Sequence, residues 1–181
     1  MKKLRLFCLP LFSFFLLVTA VFAQNASIDS LKNALSFSEG KERVDILVEL
    51  AFSLREISQA EALTYALEAE KLAQELDNPS AESQATEHIS WIYYRQGLWQ
   101  KAFDYAKESY ELAREANDLT QVARILNNMG ALYYEQQNYL MAIDHFKDAF
   151  EISQKAEDVY TQIRSLNNVA FNFTLLENYD S

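Results

Sequence analysis

Cysteine, proline and glycine are nearly absent from this chain. Its 181 residues hold one cysteine, two prolines and three glycines. So few turn-formers argue against a fold of many short strands, because each strand reversal needs residues that tolerate left-handed or fixed backbone angles. Only Cys8 could supply a thiol, and it falls inside an apolar N-terminal run. Without that run the chain has neither disulfides nor thiolate chemistry. Histidine is limited to His88 and His145, in non-equivalent positions of the pattern below. A zinc site would have to be completed with carboxylates, so no metal is expected. No GxxxxGK[ST], GxSxG or HExxH string occurs, and without them the sequence points to no enzyme and no cofactor. Acidic pairs such as Glu108/Glu111 and Glu68/Glu70 lie among Lys107, Arg114 and Lys71, the pattern of a solvated helix face.

Positive charge is scarce outside the N-terminus. Lys2, Lys3 and Arg5 precede an uncharged apolar stretch from Leu6 to Phe22, with small residues before Gln24. This is the layout of a secretory signal peptide over residues 1–23, with cleavage expected after Ala23. An uncleaved anchor is the rival reading, because the run approaches the ~18–20 residues that span a bilayer. Taking those three basic residues from the total of 16 leaves 13 against 26 acidic ones, a net charge of −13. Such a surface repels phosphate backbones and anionic lipids, so no nucleic-acid partner is expected. Membrane attachment is expected only through an uncleaved leader or a transmembrane helix further downstream. The expected location is outside the cytoplasm, periplasmic or otherwise extracytoplasmic.

What is abundant is helix-forming sequence, and it repeats. Segments 41–80, 81–120 and 121–160 align without a gap, and 161–181 begins a fourth copy. Arg124, Leu126, Asn127, Asn128, Asn138 and Tyr139 recur forty residues later as Arg164, Leu166, Asn167, Asn168, Asn178 and Tyr179. In the third copy Leu126, Met129, Gly130 and Tyr133 share one helical stripe. A polar break at Gln136-Gln137-Asn138 follows. A second helix then carries Ala142, Ile143, Phe146, Ala149, Phe150 and Ile152. At the equivalent break in the second copy Gly97 can take a left-handed helix stop, and Asn138 would tolerate one. The stretch 24–40 contains a short amphipathic helix, Ile28 to Leu35, with Asp29 and Ser30 available for its start, suited to cap the first copy.

Met129-Gly130, Tyr133, Ala142 and Phe146 resemble the signature of the tetratricopeptide repeat. The resemblance covers about 41–181. Departures are Leu50 and Ser53 in the first copy, Ser90 and Ala106 in the second, and a period of 40 against the family's ~34. The resemblance implies an all-α fold: a right-handed superhelical solenoid of antiparallel helix pairs, about three and a half repeats. It also implies a non-catalytic scaffold that binds protein or peptide. The longer period, with the leader, resembles the N-terminal sensory part of bacterial membrane-bound signalling proteins.

The register places Val44, Leu47, Ala51, Leu54, Gln84, Glu87 and Ala131 on the inner face. The binding candidates there are Trp91, Tyr94, Arg95, Arg124, Asn127, Asn128, Tyr134, Arg164, Asn167, Asn168 and Phe171. Arg124 and Asn128 are four residues apart on one face, as are Arg164 and Asn168. Amides at such positions bond a peptide backbone, guanidinium groups hold its carboxylates, and the aromatics supply apolar anchors. The plainer alternative is that the paired asparagines bond neighbouring helices. Residues 161–177 read as a first helix whose partner would start near Tyr179, leaving Leu166, Val169, Phe173 and Leu176 without cover on one side. The chain is therefore expected to be a fragment of a longer protein. A second functional expectation is self-association, into a homo-oligomer, through that uncovered face.

Overall fold

The computed structural model describes residues 26–179 of the chain. The leader expected at 1–23 lies outside the described residues. Among those described there are eight helices and no strand. They fall into two compact units that divide after Ser38. The first unit holds α1, 26–35, which is already helical at Ala26. Asp29 and Ser30 therefore sit inside the helix rather than at its start, contrary to the expectation.

The second unit contains α2 (Gly40–Leu54), α3 (Gln59–Glu75), α4 (Pro79–Arg95), α5 (Trp99–Glu115), α6 (Leu119–Glu135), α7 (Tyr139–Lys155) and α8 (Val159–Tyr179). First helices begin at steps of about forty residues. Each helix packs on its sequence neighbour, and α2, α4, α6 and α8 also touch in series. Within this unit no packing among the described residues joins helices more than two apart in order. The unit is thus a linear pile, a right-handed superhelical solenoid in which each pair shelters the apolar side of the next.

The turns explain the regular step. Asp77, Asn117 and Glu157 take left-handed backbone angles at equivalent positions, with φ of 52°, 54° and 57°. The next residue then caps the following helix: Asn78, Asp118 and Asp158 accept the backbone N–H of Ala81, Gln121 and Thr161. Inside the pairs Gly97 is left-handed as expected, with φ 71°. In the third pair the left-handed residue is Gln137, φ 58°, and not Asn138. Asn138 instead caps α7 by accepting the N–H of Met141. Gln137 is the residue forty positions after Gly97, so the left-handed stop keeps the same place in both pairs.

Second helices carry the small residues that let the next layer approach. Ala62, Ala66, Ala69 and Ala73 of α3, Ala102, Ala106 and Ala113 of α5, and Ala142 and Ala149 of α7 are all buried. Leu47, Leu50, Ile89, Ile92, Ile125, Leu132 and Phe146 fill the space between them. The departures from the repeat signature compensate one another in the first pair. Where the third pair has Gly130 and Phe146, the second has Ser90 and Ala106, and the first has Leu50 and Ala66. In the first and third pairs a large residue on one helix answers a small one on the other, which keeps the packed volume roughly constant. In the second pair both residues are small, and all six are buried. Ser90 adds a hydrogen bond, donating to the Ala102 carbonyl at 2.7 Å.

Two expectations fail here. Val44, Leu47, Ala51 and Leu54 are core residues, at most 4% exposed, and do not line an inner face. Helix α8 continues through 176–178 to Tyr179, so there is no break at the position equivalent to Gln136-Gln137-Asn138. Leu166 and Phe173 are exposed as expected, whereas Val169 and Leu176 are partly buried.

Candidate functional site

Three adjoining cavities run along the concave side formed by first helices. The first, about 260 Å³, is lined by Phe52 of α2 and Arg55 at its C-cap, by Glu87, His88 and Trp91 of α4, by Arg124 and Asn128 of α6, and by Tyr160 and Arg164 of α8. The second, about 90 Å³, shares Trp91, Asn128 and Arg164 with the first and adds Ser90, Tyr94, Ala131 and Leu132. The third, about 210 Å³, takes over Tyr94 and Ala131 and adds Tyr134, Phe146, Asn168, Phe171 and Asn172. Shared walls make the three a single groove, charged at one end and aromatic at the other.

The charged end is organised around Glu87, which is 3% exposed. Its Oε1 accepts a hydrogen bond from Asn128 Nδ2 at 2.6 Å, and Asn128 Oδ1 in turn accepts from Arg164 at 3.1 Å. The chain Glu87–Asn128–Arg164 therefore ties α4, α6 and α8 together. Oε2 lies 2.8 Å from His88 Nδ1 and 4.0 Å from Arg55. The two atoms are close without forming an aligned hydrogen bond, and neither has another hydrogen-bond partner among the described residues. Burial alone would raise the pKa of Glu87. Close contact with His88, reinforced by Arg55 and Arg124, outweighs it and holds the carboxyl at about 2. Glu87 is thus an anion at any physiological pH.

Arg55 is held between aromatic rings, its guanidinium carbon 4.5 Å from the Phe52 centroid and 4.9 Å from that of Trp91. Arg95 covers Trp91 as well, at 5.1 Å, and reaches Glu56 at 3.5 Å. Burial pulls the Arg55 pKa below its ordinary value; Glu87 and Glu56 oppose this, while Arg164 and Arg124 push it further down. Arg124 is half-buried and makes no hydrogen bond or ion pair among the described residues. Three guanidinium groups and one carboxylate line this end, with Glu56 and Asp158 acting on Arg55 and Arg124 from outside the lining.

At the other end Tyr134 and Phe171 pack at 5.8 Å between centroids. Tyr94 donates its hydroxyl to Glu135 at 2.9 Å. Burial, followed by that bond, pushes the Tyr94 pKa up to about 12. Asn172 is 2% exposed, and its Oδ1 has no hydrogen-bond partner.

Of the expected site residues, Trp91, Tyr94, Arg124, Asn128, Tyr134, Arg164, Asn168 and Phe171 come together in this groove. Arg95 lines a neighbouring cavity with Gly97, Trp99 and Glu135. Asn167 is exposed and lines none of these cavities. Asn127 is fully buried, its amide 3.2 Å from the Ser165 hydroxyl and 3.1 Å from the Asn168 amide. Turned over, its oxygen accepts from Arg164 Nε at 3.1 Å. For Asn127 the plainer alternative, bonding between helices, is what the structure has. Sequence reasoning missed Arg55 and His88. A signal existed for both: Arg55 is forty residues before Arg95, and His88 is forty before Asn128.

Residues 121–181 match the model of the tetratricopeptide repeat family. The sequence has no match among the curated proteins. Among solved structures the chain is similar to aspartyl phosphate phosphatase F from Bacillus subtilis, with a TM-score of 0.75 and 16% identity over 88% of this chain and 45% of that one. It is similar to a Rap protein complexed with competence and sporulation factor, with a TM-score of 0.68 and 20% identity over 87% and 48%. It is also similar to a signal transduction ATPase with a tetratricopeptide repeat sensor from Pyrococcus horikoshii, with a TM-score of 0.72 and 18% identity over 87% and 25%. The chain spans less than half the length of each. The chain thus resembles the tetratricopeptide repeat family over residues 121–181, and its likeness to these structures shows the same helical-repeat fold for the helix pairs before them.

Proposed function

We propose that the chain is a non-catalytic scaffold that holds an extended protein segment or peptide in the groove between Arg55 and Phe171. The observation that carries this reading is the continuity of the three cavities. Half-buried amides and guanidinium groups at one end and open aromatic rings at the other suit a backbone with side chains of mixed character. The Rap protein of similar fold is complexed with competence and sporulation factor, which is in keeping with this use of the groove. In the same reading the chain is exported and forms the sensory or interaction part of a longer bacterial signalling protein, and any enzymatic output belongs to sequence outside it. A display of random peptides on the exported chain tests the groove: Arg124→Ala with Asn128→Ala should abolish enrichment, and undiminished capture would remove the reading.

A second reading is self-association. Val159, Ile163, Leu166 and Phe173 form one stripe of α8 and are 62%, 59%, 52% and 44% exposed.

A further inference from the structure

The groove reading leaves open what the charged end recognises, and the arrangement of its cations narrows the choice. Arg55, the C-cap of α2, meets Arg124 of α6 and Arg164 of α8 in the lining of one cavity of about 260 Å³. Like charges brought together in a half-buried space repel. Glu87 is the one carboxylate in that lining, and Glu56 and Asp158 act on Arg55 and Arg124 from outside it. Glu87 is engaged from beneath, by Asn128, His88 and Arg55, so it serves to hold the cations in place. Arg55 is fixed by its rings and Arg164 by Asn128, whereas Arg124 acts on Glu87 and Asp158 through charge alone, with no hydrogen bond or ion pair among the described residues.

We propose that this end of the groove is a site for a phosphate monoester carried on a bound peptide, with Arg55, Arg124 and Arg164 as its ligands. The inference rests on the peptide-groove reading and specifies its anionic end. A carboxylate side chain offers one charge and two oxygens in a plane. A phosphoryl group offers close to two charges at neutral pH and three oxygens pointing in different directions. That matches both the excess of guanidinium groups over carboxylates in the lining and their approach from three separate elements. The acidic surface of the whole chain does not oppose it. A long phosphate backbone would have to cross that surface, whereas one phosphoryl group enters only the cavity.

The test is calorimetric titration of the full chain with acetyl-Ala-Phe-Ala-X-Ala-Leu-Ala amide, X being phosphoserine, glutamate or serine, and with free O-phosphoserine. The phosphoserine peptide should bind at least tenfold more tightly than the glutamate peptide, and Arg124→Gln should erase that preference. Arg55→Gln risks the fold, because it empties an aromatic sandwich. If it fails to fold, the ranking of peptides on the unchanged chain still decides. Equal or tighter binding of the glutamate peptide would overturn the phosphate assignment and leave the peptide groove standing. Free O-phosphoserine binding as tightly as the peptide would support the phosphate site and overturn the peptide as its source. No binding by any probe would overturn both.

Discussion

Phe146 occupies the space that a side chain at Gly130 would need. A Cβ built on Gly130 would meet Phe146 Cε1 at 2.6 Å and Cδ1 at 2.7 Å, distances that real contacts do not show. The glycine is therefore required by the neighbouring helix and not by its own backbone, which is ordinary α-helix.

Gly130→Ala should destabilise the protein by about 1–3 kcal/mol from overpacking, partly offset by the ~1 kcal/mol that alanine gains over glycine in a helix. Gly130→Ala combined with Phe146→Leu withdraws the ring edge that the new methyl group meets and should recover part of that loss. Thermal unfolding of the single and double variants measures both. A single variant as stable as the parent would mean that the ring yields freely.

Ala142 is fully buried where α6 and α7 cross. Ala142→Leu should cost about 1–3 kcal/mol by the same mechanism. Gln154→Leu, on the exposed side of α7, is the control and should change stability little. Equal melting temperatures for the two would contradict the assigned crossing.

Glu87 makes stability depend on pH in a defined window. Its folded-state value, about 2, lies below the ordinary 4.5. The folded protein thus holds the proton less tightly than the unfolded one. The contribution is complete above about pH 4.5 and disappears as pH falls towards 2. The shift corresponds to roughly 3 kcal/mol at neutral pH. Urea unfolding at pH 7 and pH 3 should show a steeper loss for the parent than for Glu87→Gln. Parallel losses would exclude Glu87 as the source.

The exposed stripe of α8 gives the self-association reading its own test. Light scattering across protein concentration should show a mass that rises, and Leu166→Lys with Phe173→Lys should hold it at that of one chain. A parent chain that stays monomeric at the highest concentration would rule this reading out.

The forty-residue step made the helix pairs legible because amphipathic periodicity and turn chemistry are local. Met129-Gly130, Tyr133, Ala142 and Phe146 carried the repeat signature in the sequence itself. The same step would have found Arg55 from Arg95. It could not have shown that Asn127 sinks into the interface while Asn128, one residue on, faces the groove. A turn of about 100° per residue separates the two, and which side is covered depends on the neighbouring helix.

The sequence by itself therefore determined the helices, their pairing and their linear stacking, since each rests on contacts between residues close in the chain. Only the tertiary structure decided that arginines from the end of α2, from α6 and from α8 meet in one cavity around a buried Glu87. That meeting depends on rotation accumulated from one pair to the next, and no single pair of helices encodes it.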